Sequence, residues 1–172
     1  SKGATIVTGV GISEILGAGG QVTGVRLADG RELPCSLVVM AIGVSPNAAL
    51  AKAAGLTLGA TGGIAVNAHM RTSDPDIYAA GDCVEIPCRL TGEKTLAPYG
   101  DLANLEGRVA GENAATGDRA VFPGTVYSGI CKVFDFAAGS TGLSEKAAQR
   151  IGLSGYTTVV NASPDKPGFM GA

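Results

Sequence analysis

Apolar and polar positions alternate in the first part of the chain, which predicts short antiparallel strands. Residues 4–10 read ATIVTGV, and residues 22–27 alternate as a half-buried strand does. Asp29-Gly30 stands between residues 22–27 and 32–34 and is a strong hairpin signal. We therefore expect an antiparallel meander with one polar face over residues 4–33.

A continuous apolar run and a helical segment follow this meander. Residues 37–42 are apolar without alternation, which is typical of a strand covered on both faces. Gly43 ends the run, and residues 48–54 have helical composition with Gly55 as a stop. Taken alone, these residues indicate a plain strand-turn-helix connection.

The stretch DPDIYAAGDC, residues 74–83, combines a turn, a short apolar segment and a carboxylate. Asp74-Pro75-Asp76 predicts a turn, and residues 77–80 predict a short buried strand. Gly81 removes the side chain where another group must come close. Asp82 then stands at the carboxyl end of the predicted strand, where open α/β sheets bind ligands. A strand that ends in a Gly-Asp turn without any ligand is the alternative on these residues alone.

The second half of the chain predicts two helices and further strands. Residues 84–94 read as a loop, and residues 95–117 have helical spacing, with Pro98 near the start and Gly117 near the end. Residues 129–136 and 156–160 predict strands. Residues 145–151 predict a short helix that follows Ser144 as N-cap and stops before Gly152.

Composition narrows the function classes. The chain has 172 residues, 45% hydrophobic and 16% charged, with a net charge of −2 and no basic cluster. These values indicate a globular protein and argue against nucleic acid or an anionic membrane as partner. No apolar run approaches the length of a membrane-spanning helix. The 27 glycines are typical of cofactor-binding α/β proteins.

Cysteine and histidine usage argues against a metal site. The four cysteines form no C-x-x-C pair, and His69 is the single histidine, which we interpret as a surface or turn residue. We expect reduced thiols in a cytoplasmic setting. A dinucleotide fingerprint is also absent, because the third glycine position after Gly9 and Gly11 falls on Glu14.

TSDPDIYAAGDC, residues 72–83, nevertheless resembles the second flavin-binding motif of the FAD-dependent pyridine nucleotide-disulfide oxidoreductases. The resemblance implies that Asp82 holds the ribityl chain of FAD. It also implies that Gly81, with Ala80 beside it, lets the backbone approach the phosphate and ribityl portion. Cys83 stands where the family more often has a small apolar residue, and we interpret it as a space-filling thiol.

Two further segments resemble the same family. AIGVSPN, residues 41–47, resembles the segment that closes the NAD(P)H domain, where Gly43 would let the nicotinamide lie close to the backbone. By resemblance, the helix over residues 95–117 points its N-terminus at the pyrimidine end of the flavin. The backbone of Pro98, Tyr99 and Gly100 would lie there, although Pro98 has no N–H to donate. Helix N-termini stabilise the negative charge of a reduced flavin.

GICKVFDF and TGLSE, in residues 129–145, resemble the start of the interface domain of coenzyme A disulfide and persulfide reductases and related NADH oxidases. In that subgroup the domain forms a homodimer, and an unfinished sheet edge favours strand exchange between two copies. Phe169 and Met170 stand where the subgroup tends to carry tyrosines near a coenzyme A pocket.

The expected fold class is α/β, as three pieces of larger domains. Residues 1–44 would be the tail of a Rossmann-like NAD(P)H-binding domain, residues 45–120 the returning part of an FAD-binding domain, and residues 121–172 an incomplete α+β dimerisation domain. The family's N-terminal G-x-G-x-x-G and redox cysteine are not in these residues. We therefore expect a longer polypeptide and a catalytically silent isolated chain that binds FAD weakly or not at all.

The expected reaction passes electrons from NAD(P)H through FAD to a small-molecule acceptor of the disulfide or persulfide type. Two alternatives stay open: an NADH oxidase or peroxidase that reduces an oxygen-type acceptor, and a non-catalytic module that associates with itself.

Overall fold

The structure is a computed structural model that describes residues 3–162. The chain forms two compact units, one that ends at Gly43 and one that begins at Val44. Both contain short strands, and helices occur in the second, so the fold is mixed α/β. No helix within the described range is long and apolar enough to cross a membrane.

The first unit is a three-stranded antiparallel sheet in the order β1-β2-β3. Its strands are β1 (Ile12–Ala18), β2 (Gln21–Leu27) and β3 (Glu32–Pro34). Gly19 and Gly20 join the first two strands with φ values of 58° and 79°, the sign that the preferred two-residue hairpin turns require. This part of the predicted meander is confirmed.

Two strands predicted for the first unit are wrong. Residues 4–10 and 37–42 have no strand conformation, and Leu37 and Ile42 are exposed. A strand needs a neighbour for its backbone N–H and C=O groups. Within residues 3–162, no strand pairs with either segment, so their apolar sequence is not enough to make them strands.

Within residues 44–162, the second unit has a small mixed sheet, three helices and a hairpin. Its elements are α1 (Ala49–Ala53), β4 (Ile64–Ala65), β5 (Val84–Pro87), β6 (Lys94–Thr95), α2 (Gly100–Thr116), β7 (Gly129–Val133), β8 (Phe136–Ser140) and α3 (Glu145–Arg150). Strand β5 pairs in parallel with β4 and antiparallel with β6, whereas β7 and β8 form a separate antiparallel pair.

The core of the second unit lies between the small sheet and the inner face of α2. Met70, Val84 and Ile86 are each at most 2% exposed. Ala110 of α2 and Phe122 complete the same cluster, together with Ala48, Ile64, Val66 and Ala97. Helix α2 is thereby fixed against the segment that leads into β5, which carries the DPDIYAAGDC motif.

The three predicted helices are confirmed, but α2 begins at Gly100, after Pro98 and not at residue 95. Helix α2 ends at its C-cap Gly117, with φ 79°, as a glycine C-cap does. Ser144 caps α3, because its Oγ accepts a hydrogen bond from the Ala147 N–H at 3.2 Å. Local capping signals therefore placed the end of α2 and the start of α3 correctly.

Three strand predictions and one loop prediction in the second unit need correction. Residues 77–80 are not a strand, since Tyr78 makes only an isolated bridge with Arg71, and residues 84–87 form β5 instead of a loop. Residues 129–136 are not one strand, because the chain turns at Phe134-Asp135 to form the β7–β8 hairpin. Residues 156–160 form no strand. Phe169 and Met170 lie outside the described residues.

Candidate functional site

The DPDIYAAGDC motif begins with the turn that the sequence predicts. The Asp76 N–H donates to Asp74 Oδ1 at 2.9 Å, and the Ile77 N–H donates to the Asp74 carbonyl at 3.2 Å. Ala79 and Ala80 are then half-buried and pack against the core. The motif is therefore anchored on the sheet side before it reaches Gly81.

Gly81 reverses the chain with a φ of 93°, a value that side-chain-bearing residues rarely adopt. A Cβ added there would lie 3.8 Å from the Ala103 side chain, which is ordinary contact. The backbone angle, and not a lack of space, therefore requires glycine. The Val84 N–H donates to the Gly81 carbonyl at 3.1 Å and closes a tight turn. Asp82 is exposed on this turn, directly before β5.

Glu106 is the residue of this site that the sequence reading missed. It is 2% exposed on the inner face of α2, and its Oε2 accepts a hydrogen bond from the Gly81 N–H at 2.7 Å. Burial raises the pKa of the Glu106 carboxyl, the Gly81 hydrogen bond opposes that rise, and the charge of Asp82 adds to it. A signal was available: Glu106 occupies a position of the apolar face shared by Leu102 and Ala110, at i−4 and i+4.

The start of α2 lies beside this turn, because Gly81 adjoins Ala103, one turn into the helix. Of the three predicted backbone contacts, Pro98 has no N–H, and the Tyr99 N–H donates to the Ala97 carbonyl at 2.8 Å. Gly100 begins the helix, where N–H groups have no intrahelical acceptor. The open N–H groups thus begin at Gly100, and not at Pro98 or Tyr99.

A cleft of about 780 Å³ opens next to the first turn of α2. It is bounded on one side by the helix start and on the other by the β7–β8 hairpin. Its lining residues are Tyr99, Gly100, Asp101, Ser128, Gly129, Ile130, Gly139, Ser140 and Thr141. The helix start therefore borders open space large enough for part of an organic ligand.

Gly43 belongs to the first unit, where it is the last residue and has a φ of 99°. Ala80, Gly81 and Asp82 belong to the second unit together with Pro98, Tyr99 and Gly100. The structure brings the motif turn and the start of α2 into one local arrangement within that unit.

Cys83 and the histidine contact backbone carbonyl groups of the second unit. All four cysteines are free, and Cys83 is half-buried with its Sγ 3.7 Å from the Ala80 carbonyl. His69 Nδ1 lies 2.8 Å from the Ala120 carbonyl, and Asn113 Nδ2 donates to the His69 carbonyl at 2.9 Å. No group of three or more metal-binding side chains occurs in the described part of the chain.

The sequence pattern of the pyridine nucleotide-disulphide oxidoreductases matches residues 1–101. The chain belongs to this family, and the resemblance drawn from DPDIYAAGDC is confirmed. Within the family, it is similar both to reductases that use sulfur acceptors and to NADH oxidases.

Curated relatives of both kinds match this chain, an NADH oxidase and a sulfur oxidoreductase among them. The chain is 47% identical over 120 residues to an NADH oxidase of Methanocaldococcus jannaschii, covering 70% of this chain and 26% of that protein. It is 39% identical over 137 residues to a CoA-dependent NAD(P)H sulfur oxidoreductase of Pyrococcus furiosus, covering 80% of this chain and 31% of the relative. The chain therefore spans less than a third of the length of either relative.

Solved structures share the fold. An NAD-dependent persulfide reductase from A. fulgidus matches 89% of this chain and 28% of its own, with 50% identity and a TM-score of 0.84. A water-forming NADH oxidase from Lactobacillus brevis, bound to NADH, matches 95% of this chain and 35% of its own, with 26% identity and a TM-score of 0.84.

Proposed function

We propose that the whole protein passes electrons from NAD(P)H through FAD to a small-molecule acceptor of the disulfide or persulfide type. The observation that carries this proposal is the Gly81-Asp82 turn, which exposes a carboxylate beside the start of α2. The sulfur-reductase names of relatives that cover most of this chain support the choice of acceptor.

The residues present fit the flavin half of this function. Asp82 would accept hydrogen bonds from hydroxyls of the ribityl chain, and Gly81, without a Cβ, would let its backbone and that of Ala80 approach the cofactor. The N–H groups that begin at Gly100 would stabilise negative charge at the pyrimidine end of the ring. When bound, FAD supplies the two-electron chemistry that side chains lack.

Gly43 would let the nicotinamide of NAD(P)H lie close to the backbone, since its φ of 99° and missing side chain leave that surface open. We assign residues 1–44 to the NAD(P)H domain, residues 45–120 to the FAD domain and residues 121–172 to a dimerisation domain. The isolated 172-residue chain would then be catalytically silent, because it holds only part of an extended cofactor's contacts.

The dimerisation domain is supported by the exposed apolar surface of the β7–β8 hairpin. Ile130 is 82% exposed, Phe136 is also exposed, and both outer edges of this two-stranded sheet are unpaired within the described residues. A two-stranded hairpin is only marginally stable by itself, so a covered state is expected. We propose that a second copy covers it through exchange of strands between the two copies. We also propose that the protein works in the cytoplasm, where its free cysteines stay reduced.

An NADH oxidase is the second candidate function, and the 47% identity to the Methanocaldococcus jannaschii relative favours it. In this case oxygen would accept the electrons that the flavin receives. The binding residues would be the same, and the rate of reoxidation would separate the two functions.

The test is anaerobic reduction of the purified whole protein by NADH or NADPH, followed by rapid mixing with a persulfide or with oxygen. We expect a flavin absorption spectrum that NAD(P)H bleaches and that the persulfide restores faster than oxygen does. Faster recovery with oxygen would favour the oxidase. A colourless protein, or a flavin that neither nucleotide reduces, would contradict the proposal.

A further inference from the structure

Glu106 is a carboxylate on the inner face of α2, between the apolar side chains of Leu102 and Ala110. It is 2% exposed. Burial of a carboxylate costs free energy unless hydrogen bonds compensate for the lost water. The hydrogen bond that Glu106 makes must therefore compensate for this cost of burial.

This contact is with the turn that carries Asp82. Glu106 Oε2 accepts the Gly81 N–H at 2.7 Å, and the Gly81 carbonyl accepts the Val84 N–H at 3.1 Å. Gly81 is thus held at both of its backbone polar groups, at the residue where the chain adopts a φ of 93°. Asp82 is the next residue, so this double restraint acts directly before the exposed carboxylate.

We propose that Glu106 is a positioning residue of the flavin site: by accepting the Gly81 N–H, it holds the turn in the shape that presents Asp82 to the ribityl hydroxyls. This inference rests on the proposed function, because it assumes that Asp82 binds FAD. Glu106 itself acts through Gly81 and needs no contact with the cofactor.

Ionisation of Glu106 would then be transmitted to the turn. A carboxylate is a stronger acceptor than a carboxylic acid, so loss of the proton strengthens the bond to the Gly81 N–H. Among the described residues, Asp82 is the charged group that acts on the Glu106 pKa from outside α2. The other charged residues of α2 lie at exposed positions: Asp101, Arg108 and Glu112.

The hydrogen bond is tested without cofactor by recording the Gly81 amide resonance of the full 172-residue chain by NMR while the pH is raised. We expect the amide proton to move downfield as Glu106 loses its proton. Glu106→Gln should abolish this movement, whereas Asp82→Asn and the exposed control Glu112→Gln should keep it. A Gly81 titration that persists in Glu106→Gln would overturn the inference.

The consequence for the cofactor is tested in the whole protein by titration of the apoprotein with FAD. Loss of a hydrogen bond to a charged group predicts that Glu106→Ala weakens FAD binding at least about tenfold. Glu106→Gln keeps an acceptor oxygen and should restore most of the affinity, and Glu112→Gln should bind as the wild type does.

The outcomes separate the two levels of the proposal. If the whole protein binds no FAD, the proposed function fails, and the role assigned to Glu106 at the flavin fails with it. If FAD binds normally and Glu106→Ala leaves its affinity unchanged, only the role of Glu106 is contradicted. Equal weakening by Glu106→Ala and Glu106→Gln would also overturn it, because an acceptor at this position would then not matter.

Discussion

The Gly81-Asp82 turn and the β7–β8 hairpin differ in how much of each is hydrogen-bonded and packed by the rest of the chain. At the turn, backbone groups are bonded to Glu106 and Val84, and the flanking segments pack on a core that includes Ile86. The hairpin instead exposes most of its side chains, including Ile130. The difference teaches that the motif turn is a locally complete structure, whereas the hairpin leaves most of its apolar side chains uncovered by the described residues.

Truncation of a core side chain should separate the two regions most strongly. Ile86 is 1% exposed, so Ile86→Ala is expected to lower the free energy of unfolding by about 2–5 kcal/mol. Ile130→Ala, the same change at a position that is 82% exposed in the single chain, should alter the free energy of unfolding of the monomer by less than about 0.5 kcal/mol. Urea unfolding of the chain measures both. Equal effects would show that the hairpin is packed in solution.

The backbone of the turn gives the next largest effect. Gly81→Val places a β-branched residue at a φ of 93° and should lower the free energy of unfolding by about 1–3 kcal/mol. Gly107→Ala is the matched control, because Gly107 is exposed on α2 with open space around it, and it should stabilise the chain by about 0.5–1 kcal/mol. A tolerated Gly81→Val in thermal unfolding would show that the turn adopts another conformation.

The cap of α3 should contribute less. Ser144→Ala removes the oxygen that accepts the Ala147 N–H, and loss of such an N-cap costs about 1 kcal/mol. The loss is to be read from hydrogen exchange of the α3 amides, since a six-residue helix can open locally. Unchanged protection at Ala147 would contradict the cap.

The smallest expected effect is a dependence of the free energy of unfolding on pH. Because burial raises the pKa of Glu106, the folded chain keeps this proton to a higher pH than the unfolded chain does. The stability from this group is therefore full below its ordinary pKa and is lost as the pH rises through the folded pKa. The free energy of unfolding of the wild type, relative to Glu106→Gln, should fall across that window. A difference that stays constant or rises would contradict this assignment.

Signals that act within a few residues were readable from the sequence. The Asp74 turn, the Asp29-Gly30 hairpin turn and the Ser144 cap depend on side chains and φ angles of adjacent residues. The family resemblance of DPDIYAAGDC is equally local, and the family is confirmed.

Features that depend on distant partners were not readable. Residues 37–42 have a strand-like sequence, but a strand also needs a neighbour, and residues 84–87 became β5 because β4 lies beside them. Glu106 was missed because its partner, the Gly81 N–H, is 25 residues away in sequence. The one indication in the sequence was a charged residue between Leu102 and Ala110 on the inner face of α2.

The affinity of the whole protein for FAD, compared between wild type and Asp82→Asn, tests the central claim most directly. Asparagine keeps the size of the side chain but loses the charged acceptor. The proposed function therefore predicts that FAD binds at least about tenfold more weakly to the variant. Equal affinities would contradict the assignment of the Gly81-Asp82 turn as the flavin site.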